Sequence, residues 1–366
     1  MKFLFNSTLD PNKSMATQIC IYELSNLLHK KGYTVGLNDW KNYDLYDVVI
    51  FMPYDAKISE ARKANPSILV GIADPKLSNE KQKIVAREAD FLMVSSIEQR
   101  DKFLEYNSNV FIYYMFPNII IEKKEHVKKK KLVLGYHGNK VHLHCASPHL
   151  MDALDKLSEK YNLEFWVIYN IELLGKWEYG LPKNIKVRHI QWSENIYDTI
   201  FKDVDIGIVP NLIPNNFKNN LSFVNRLFMN DKEDYFIRYK YSSNPGRQYI
   251  FAMKHIPMVS EMYPSSSQFL FHGTSGELVS SAYGWYNSIE KLIKFENIRN
   301  EYAGKAYESF MQYGNKDIVI EQLLDFINKI DLESKKVVFN HKKNNYKSLF
   351  FLFKDYMHRL KRKLGI

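Results

Sequence analysis

Between Lys240 and Arg247 the chain reads Lys-Tyr-Ser-Ser-Asn-Pro-Gly-Arg, directly ahead of an apolar-periodic stretch over 245–254. Lys240, the hydroxyls of Ser242 and Ser243, Asn244 and Arg247 thus gather at the start of a predicted helix with Pro in its first turn. Donors and positive charge would surround one helix N-terminus. This is chemistry suited to phosphate: Arg presents a planar fork to two oxygens, and Lys a compact charge. A capped surface helix with two solvated cations would have the same sequence. Elsewhere Asp74-Pro75 places a carboxylate in a loop, where such a pair commonly caps the next helix. His142, His144 and Cys145 lie close together but lack carboxylate partners, so we read them as a polar loop edge rather than a metal site.

The elements that would position these groups follow from periodicity. Short apolar runs at 2–5, 48–51, 68–72, 91–94 and 110–114 alternate with amphipathic stretches at 15–31, 58–64, 80–88 and 97–106. The runs do not alternate with polar residues, as strands covered on both faces require, so a parallel sheet with helices on each side is expected. Over 117–131 the pattern breaks into a charged linker. It restarts with strands at 132–135, 163–168, 185–190, 206–209 and 257–260, and with helices at 150–160, 196–201, 245–254, 289–294, 298–313 and 318–330. The expected architecture is α/β: two Rossmann-like domains, 1–125 and 126–335, followed by a basic segment, 336–366.

Ligands of such sheets bind beyond the carboxyl ends of the strands. In the first domain those loops hold Asn6-Ser7-Thr8, Pro53-Tyr54-Asp55, Asp74-Pro75-Lys76 and Ser95-Ser96. In the second they hold His137-Gly138-Asn139-Lys140, Asn170, Gln191-Trp192-Ser193, Asn211 and the stretch 240–247. The two sets would face one cleft if the strand ends are opposed.

Composition narrows the class. The chain has 366 residues, 45% hydrophobic and 25% charged, the balance of a globular protein of about two domains. Two cysteines, Cys20 and Cys145, are too few for a disulfide framework, which favours a reducing compartment. No apolar stretch approaches the ~20 residues of a membrane span and none resembles a signal peptide. The net charge of +10 favours anionic partners. Much of the excess lies in the linker and in the tail, where basic residues flank an apolar helical face formed by Leu349, Phe350, Leu352, Phe353, Tyr356, Met357 and Leu360. This segment, 346–366, would lie on an anionic membrane surface or pack its apolar face on the body of the protein.

The tract 240–259, ending Phe-Ala-Met-Lys-His-Ile-Pro-Met-Val, resembles the donor segment of GT-B glycosyltransferases, in which a Lys/Ser/Asn/Arg cluster opens a helix followed by a Pro-led apolar strand. Residues 132–139, 185–192, 204–211 and 273–279 resemble further pieces of that fold in the same order, and the likeness spans about 1–330. It is similar to the family 4 type, with a departure: alignment on Pro257 places Ser242 and Ile250 where that type carries two Glu residues.

The resemblance implies a nucleotide-sugar donor on the second domain. Its base and ribose would lie near His137, Gly138, Asn139, Lys140, Gln191 and Trp192, and its diphosphate near Ser243, Asn244, Arg247 and Lys240, with Asn211 beside them. The acceptor, a surface polysaccharide or lipid-linked glycan, would enter from the first domain. Arg247 and Lys240 would stabilise charge on the leaving diphosphate without a metal or other cofactor, and Asp74 would serve as base if the reaction inverts. A cytoplasmic enzyme, at the inner membrane surface if the tail binds lipid, is the resulting expectation. The alternatives are a nucleotide-sugar isomerase or epimerase of the same fold, which would want more acid/base residues, and a non-catalytic polyanion-binding protein. No nucleic-acid-binding motif is present, and nucleic acid is not an expected partner.

Overall fold

Residues 2–6, 34–37, 48–51, 69–73, 91–94 and 110–112 form six parallel strands in this computed structural model, which describes residues 1–330 apart from 13, 78, 147–148, 194 and 212–243. They are β1 (Lys2–Asn6), β2 (Thr34–Leu37), β3 (Val48–Phe51), β4 (Leu69–Ala73), β5 (Phe91–Val94) and β6 (Val110–Ile112), in the order β2-β1-β3-β4-β5-β6. Phe3, Phe5, Val48 and Ile50 enter one buried cluster and Leu4, Val49 and Phe51 the opposite one, so period-two side chains fill a core on each face.

The second unit repeats the plan. Strands β7 (Leu132–His137), β8 (Leu163–Tyr169), β9 (Lys186–Gln191), β10 (Ile206–Val209), β11 (Met258–Glu261) and β12 (Glu277–Val279) lie parallel in the order β12-β11-β10-β7-β8-β9. The order reverses between β7 and β10, and the loops after these strands flank a switch-point crevice, the usual ligand position in open α/β sheets. In the first sheet the reversal falls between β1 and β3, where the Thr8 hydroxyl donates to Asp55 Oδ2 at 2.7 Å.

The helices used below are α1 (Ile97–Phe103), α2 (Val141–Ala146), α3 (Ile171–Leu174), α4 (Gly246–Met253), α5 (Pro264–Phe269), α6 (Ala282–Lys294), α7 (Glu296–Tyr313) and α8 (Lys316–Asn328). Three features set how the two units are connected. The charged segment 117–131 is not a free tether: Lys129 pairs with buried Asp205 at 2.6 Å, Lys124 donates to the Val204 carbonyl, and a His126 ring nitrogen lies 2.8 Å from the His255 carbonyl. Second, Glu98 at the start of α1 accepts from the Ser265 backbone N–H at 3.0 Å and from its hydroxyl, while Tyr114 donates to Gln268 at 2.6 Å. Third, Val319, Ile320, Leu323, Leu324 and Ile327 of α8 join the core around Phe3, Val48 and Phe91. Residues 316–328, expected with the second domain, therefore pack on the first, because their apolar face fits the helix layer of that sheet.

Lys240, Ser242, Ser243 and the basic segment 336–366 lie outside the described residues. Among the described residues no helix is long and apolar enough to cross a membrane.

Candidate functional site

Helix α4 begins immediately after Pro245, whose ring fixes φ near −73° and needs no amide partner at a helix start. Unlike a capped surface helix, α4 is buried along most of its length, with Tyr249, Phe251 and Ala252 in the core under the second sheet. Its first turn lies at a tight junction: a Cβ on Gly246 would stand 2.2 Å from the Met115 carbonyl. The Asn244 side chain fastens that junction, accepting from Gly246 N–H at 2.9 Å and donating to Met115 O at 3.3 Å. Asn244, expected at a diphosphate, is thus engaged with protein on both sides of its amide.

Arg247 leaves the same turn and crosses the switch-point crevice. Its Nη1 donates to the Pro210 carbonyl at 2.7 Å at the end of β10, and its Nη2 lies 3.4 Å from His142 Nδ1 on α2. The guanidinium stands 5.9 Å from the centre of the Tyr136 ring, a cation over an aromatic face. Gly138, with φ of 124°, makes room for it: a Cβ there would meet Arg247 Cδ at 3.2 Å. Arg247 is half-buried and keeps donors beyond those its protein partners take.

Near the arginine lie groups from the ends of β10 and β11 and from α4. The Asn211 backbone N–H donates to Glu261 Oε2 at 2.6 Å. Glu261 is buried, and burial pushes its carboxyl up to about 8, against the pull of the nearby Arg247 charge. Gln248 Nε2 donates to Ser260 Oγ at 2.8 Å. Glu261 does not figure among the sequence-derived candidates; its signal is a single acid terminating an apolar strand run on the carboxyl side of the sheet.

His137 turns into the core, with its ring 5.1–5.5 Å from those of Tyr197, Phe201 and Phe251 and a ring nitrogen 3.3 Å from the Arg247 carbonyl. Burial holds its pKa down to about 3, so it is a neutral support beneath α4 rather than a group facing the crevice. Asn139 is exposed and its Oδ1 accepts from Val141 N–H at 3.0 Å. Lys140 donates to the carbonyls of Gly175 and Lys176, each at 3.0 Å. Gln191 Oε1 accepts from Ile171 N–H at 2.8 Å, and Trp192 Nε1 donates to Tyr197 at 3.3 Å. Lys140 and Gln191 therefore brace the loops that lead into and out of α3. Asp74 stands at the end of β4 in the first unit, buried, in the left-handed region with φ of 48° and paired with Lys76 at 2.7 Å. Burial raises its pKa from the ordinary carboxylate value and the Lys76 charge pulls the other way. Gly138, Asn211 and Arg247 come together; Asp74 belongs to the opposite sheet.

No protein-family model and no curated protein sequence matches the chain. Solved structures do. Anabaena HepE, in complex with UDP and glucose, aligns with a TM-score of 0.57 at 12% identity, over 90% of this chain and 99% of that one. A sucrose-phosphate synthase from Thermosynechococcus elongatus aligns with a TM-score of 0.56 at 10% identity, over 89% and 98%. TarM aligns with a TM-score of 0.53 at 12% identity over 77% of this chain and 54% of its own, so the chain spans about half the length of TarM. Two parallel six-stranded sheets in this arrangement are the GT-B glycosyltransferase fold, as the resemblance implied.

Proposed function

We propose that this protein is a glycosyltransferase that moves a hexose from a nucleotide sugar to a surface polysaccharide or lipid-linked glycan. The observation that carries the reading is the position of Arg247: a guanidinium with donors to spare, at the N-terminus of α4, inside the switch-point crevice of the second sheet. A fork of guanidinium donors there suits a pyrophosphate. HepE, of the same fold, was solved with UDP and glucose.

In this reading the bond between the sugar C1 and the diphosphate oxygen breaks, and a bond from C1 to an acceptor hydroxyl oxygen forms. Negative charge grows on the leaving diphosphate, where Arg247, joined by Lys240, stabilises it in place of a metal. The acceptor proton passes to Asp74 if the anomeric centre inverts, or to the departing phosphate if it is retained. A raised pKa suits Asp74 to receiving that proton, while Lys76 keeps the carboxylate oriented. The segment 346–366 would bring the enzyme to an anionic inner-membrane surface.

The test is a panel of nucleotide sugars incubated with the protein, with and without glycan acceptors. Acceptor-dependent release of free nucleotide is the expected result. An epimerised donor would favour the isomerase, and no turnover or binding across the panel would contradict transfer.

A further inference from the structure

Asn211 is 1% exposed, and neither its Oδ1 nor its Nδ2 has a hydrogen-bond partner among the described residues. An amide buried with both ends unpaired is unfavourable unless a ligand completes it. The demand is independent of which end is oxygen, since either orientation leaves one acceptor and one donor. Gln248 Oε1, on α4, and the Tyr263 hydroxyl, two residues after Glu261, are also buried without partners. The Asn211 backbone N–H donates to Glu261 Oε2 at 2.6 Å, which fixes the main chain from which the amide projects.

This pattern selects a ligand. Phosphate oxygens only accept hydrogen bonds at neutral pH and leave an amide oxygen unsatisfied, whereas a hydroxyl both donates and accepts. Asn211 directly follows Pro210, whose carbonyl holds Arg247 Nη1 at 2.7 Å, so the amide stands within one residue of the cation. In a nucleotide sugar the group bonded to the terminal phosphate is the sugar ring. Ile250, which the family resemblance aligns with a Glu, is buried in the apolar cluster under the sheet and offers no polar atom there.

We propose that the Asn211 side chain, positioned by Glu261, reads hydroxyl groups of the transferred sugar. The inference rests on the nucleotide-sugar reading of the crevice and assigns the sugar to the ends of β10 and β11. Glu261 acts here as a positioning residue. With its carboxyl pushed up to about 8, it holds the Asn211 N–H as a neutral acid at pH 7.

Calorimetric titration separates the possibilities. UDP, GDP and ADP are each compared with UDP-glucose, GDP-mannose and ADP-glucose on the full chain, and the pair bound by wild type is carried forward. Asn211→Ala should weaken binding of the nucleotide sugar about tenfold to a hundredfold and leave the matching diphosphate within about twofold. Glu261→Ala should do the same, and Glu261→Gln, which keeps the acceptor for Asn211 N–H, should restore binding. If Asn211→Ala does not fold, Asn211→Ser carries the same expectation. Equal losses for diphosphate and sugar nucleotide would mean the amide reads base or phosphate and would overturn the assignment, as would wild-type affinity for both. Binding of no nucleotide by wild type would overturn the underlying reading and this inference with it.

Discussion

Arg247 works because Gly138 leaves room for it. The φ of 124° at Gly138 is closed to ordinary L-residues, and an added Cβ would crowd Arg247 Cδ at 3.2 Å. Gly138→Ala is therefore expected to cost about 1–3 kcal/mol of stability and to shift the guanidinium from the Pro210 carbonyl. Urea unfolding together with diphosphate affinity would check both effects. Histidine chemistry gives a second expectation. His137 and His126 are buried, and burial lowers their pKa values to about 3 and about 4, against 6.5 in the unfolded chain. Between those values the unfolded state binds more protons, so the full stability is present above about pH 6.5 and declines as pH falls. Each histidine should remove up to about 2 kcal/mol at pH 5, seen as a falling Tm from pH 7.5 to 5. At this scale the sequence was a partial guide. Arg247 and Asn211 were legible as types at strand ends, but His137 reads identically whether it faces a ligand or, as here, three aromatic rings. Glu261 is hidden in the sequence because the apolar run ends before it, whereas the strand extends through it.

At the scale of elements, the apolar runs without alternation marked most strands to within a residue or two, since a strand buried on both faces has no polar side to confuse the pattern. Edge strands β2 and β12 escaped. Thr34–Leu37 is largely open to solvent and carries Gly36, and Glu277–Val279 spans only three residues. A run of Lys and Glu gave no hint that 117–131 is fastened to the second unit, because the fastening depends on a partner, Asp205, that is distant in sequence. Asp205 is 2% exposed, pairs with Lys129 at 2.6 Å and accepts from the Val133 N–H at 2.9 Å. Removing it leaves Lys124, whose pKa burial already lowers to about 8, without its nearest opposite charge. Asp205→Ala should cost about 3 kcal/mol, measured by urea unfolding, with Asp198→Ala costing less, because Asp198 is itself 33% exposed and Glu122 at 3.3 Å remains as a partner for Lys254.

For the whole molecule, the consequential feature is the return of α8 to the first sheet. The chain begins in one unit, builds the second, and closes on the first, so both cores depend on residues far apart in sequence. Ile320 is fully buried among first-sheet residues. Ile320→Ala should cost about 2–5 kcal/mol, and hydrogen exchange should show the loss in β1, β3 and β5 rather than in β7 to β12. Contact between Glu98 and Ser265 joins the rims of the units on the side where the strand ends meet. The rhythm of strand and helix made the two-sheet architecture readable from sequence, whereas the crossing of α8 depends on tertiary fit that periodicity does not encode.

Sugar transfer in this crevice depends on a diphosphate held at Arg247, and one titration decides it. Nucleoside diphosphates are added to wild type and to Arg247→Ala in a calorimeter, with unfolding curves to verify that both are native. Saturable one-to-one binding by wild type, weakened in the variant by about 1.5–3 kcal/mol, is the expected result. Equal affinity in the two proteins would contradict it.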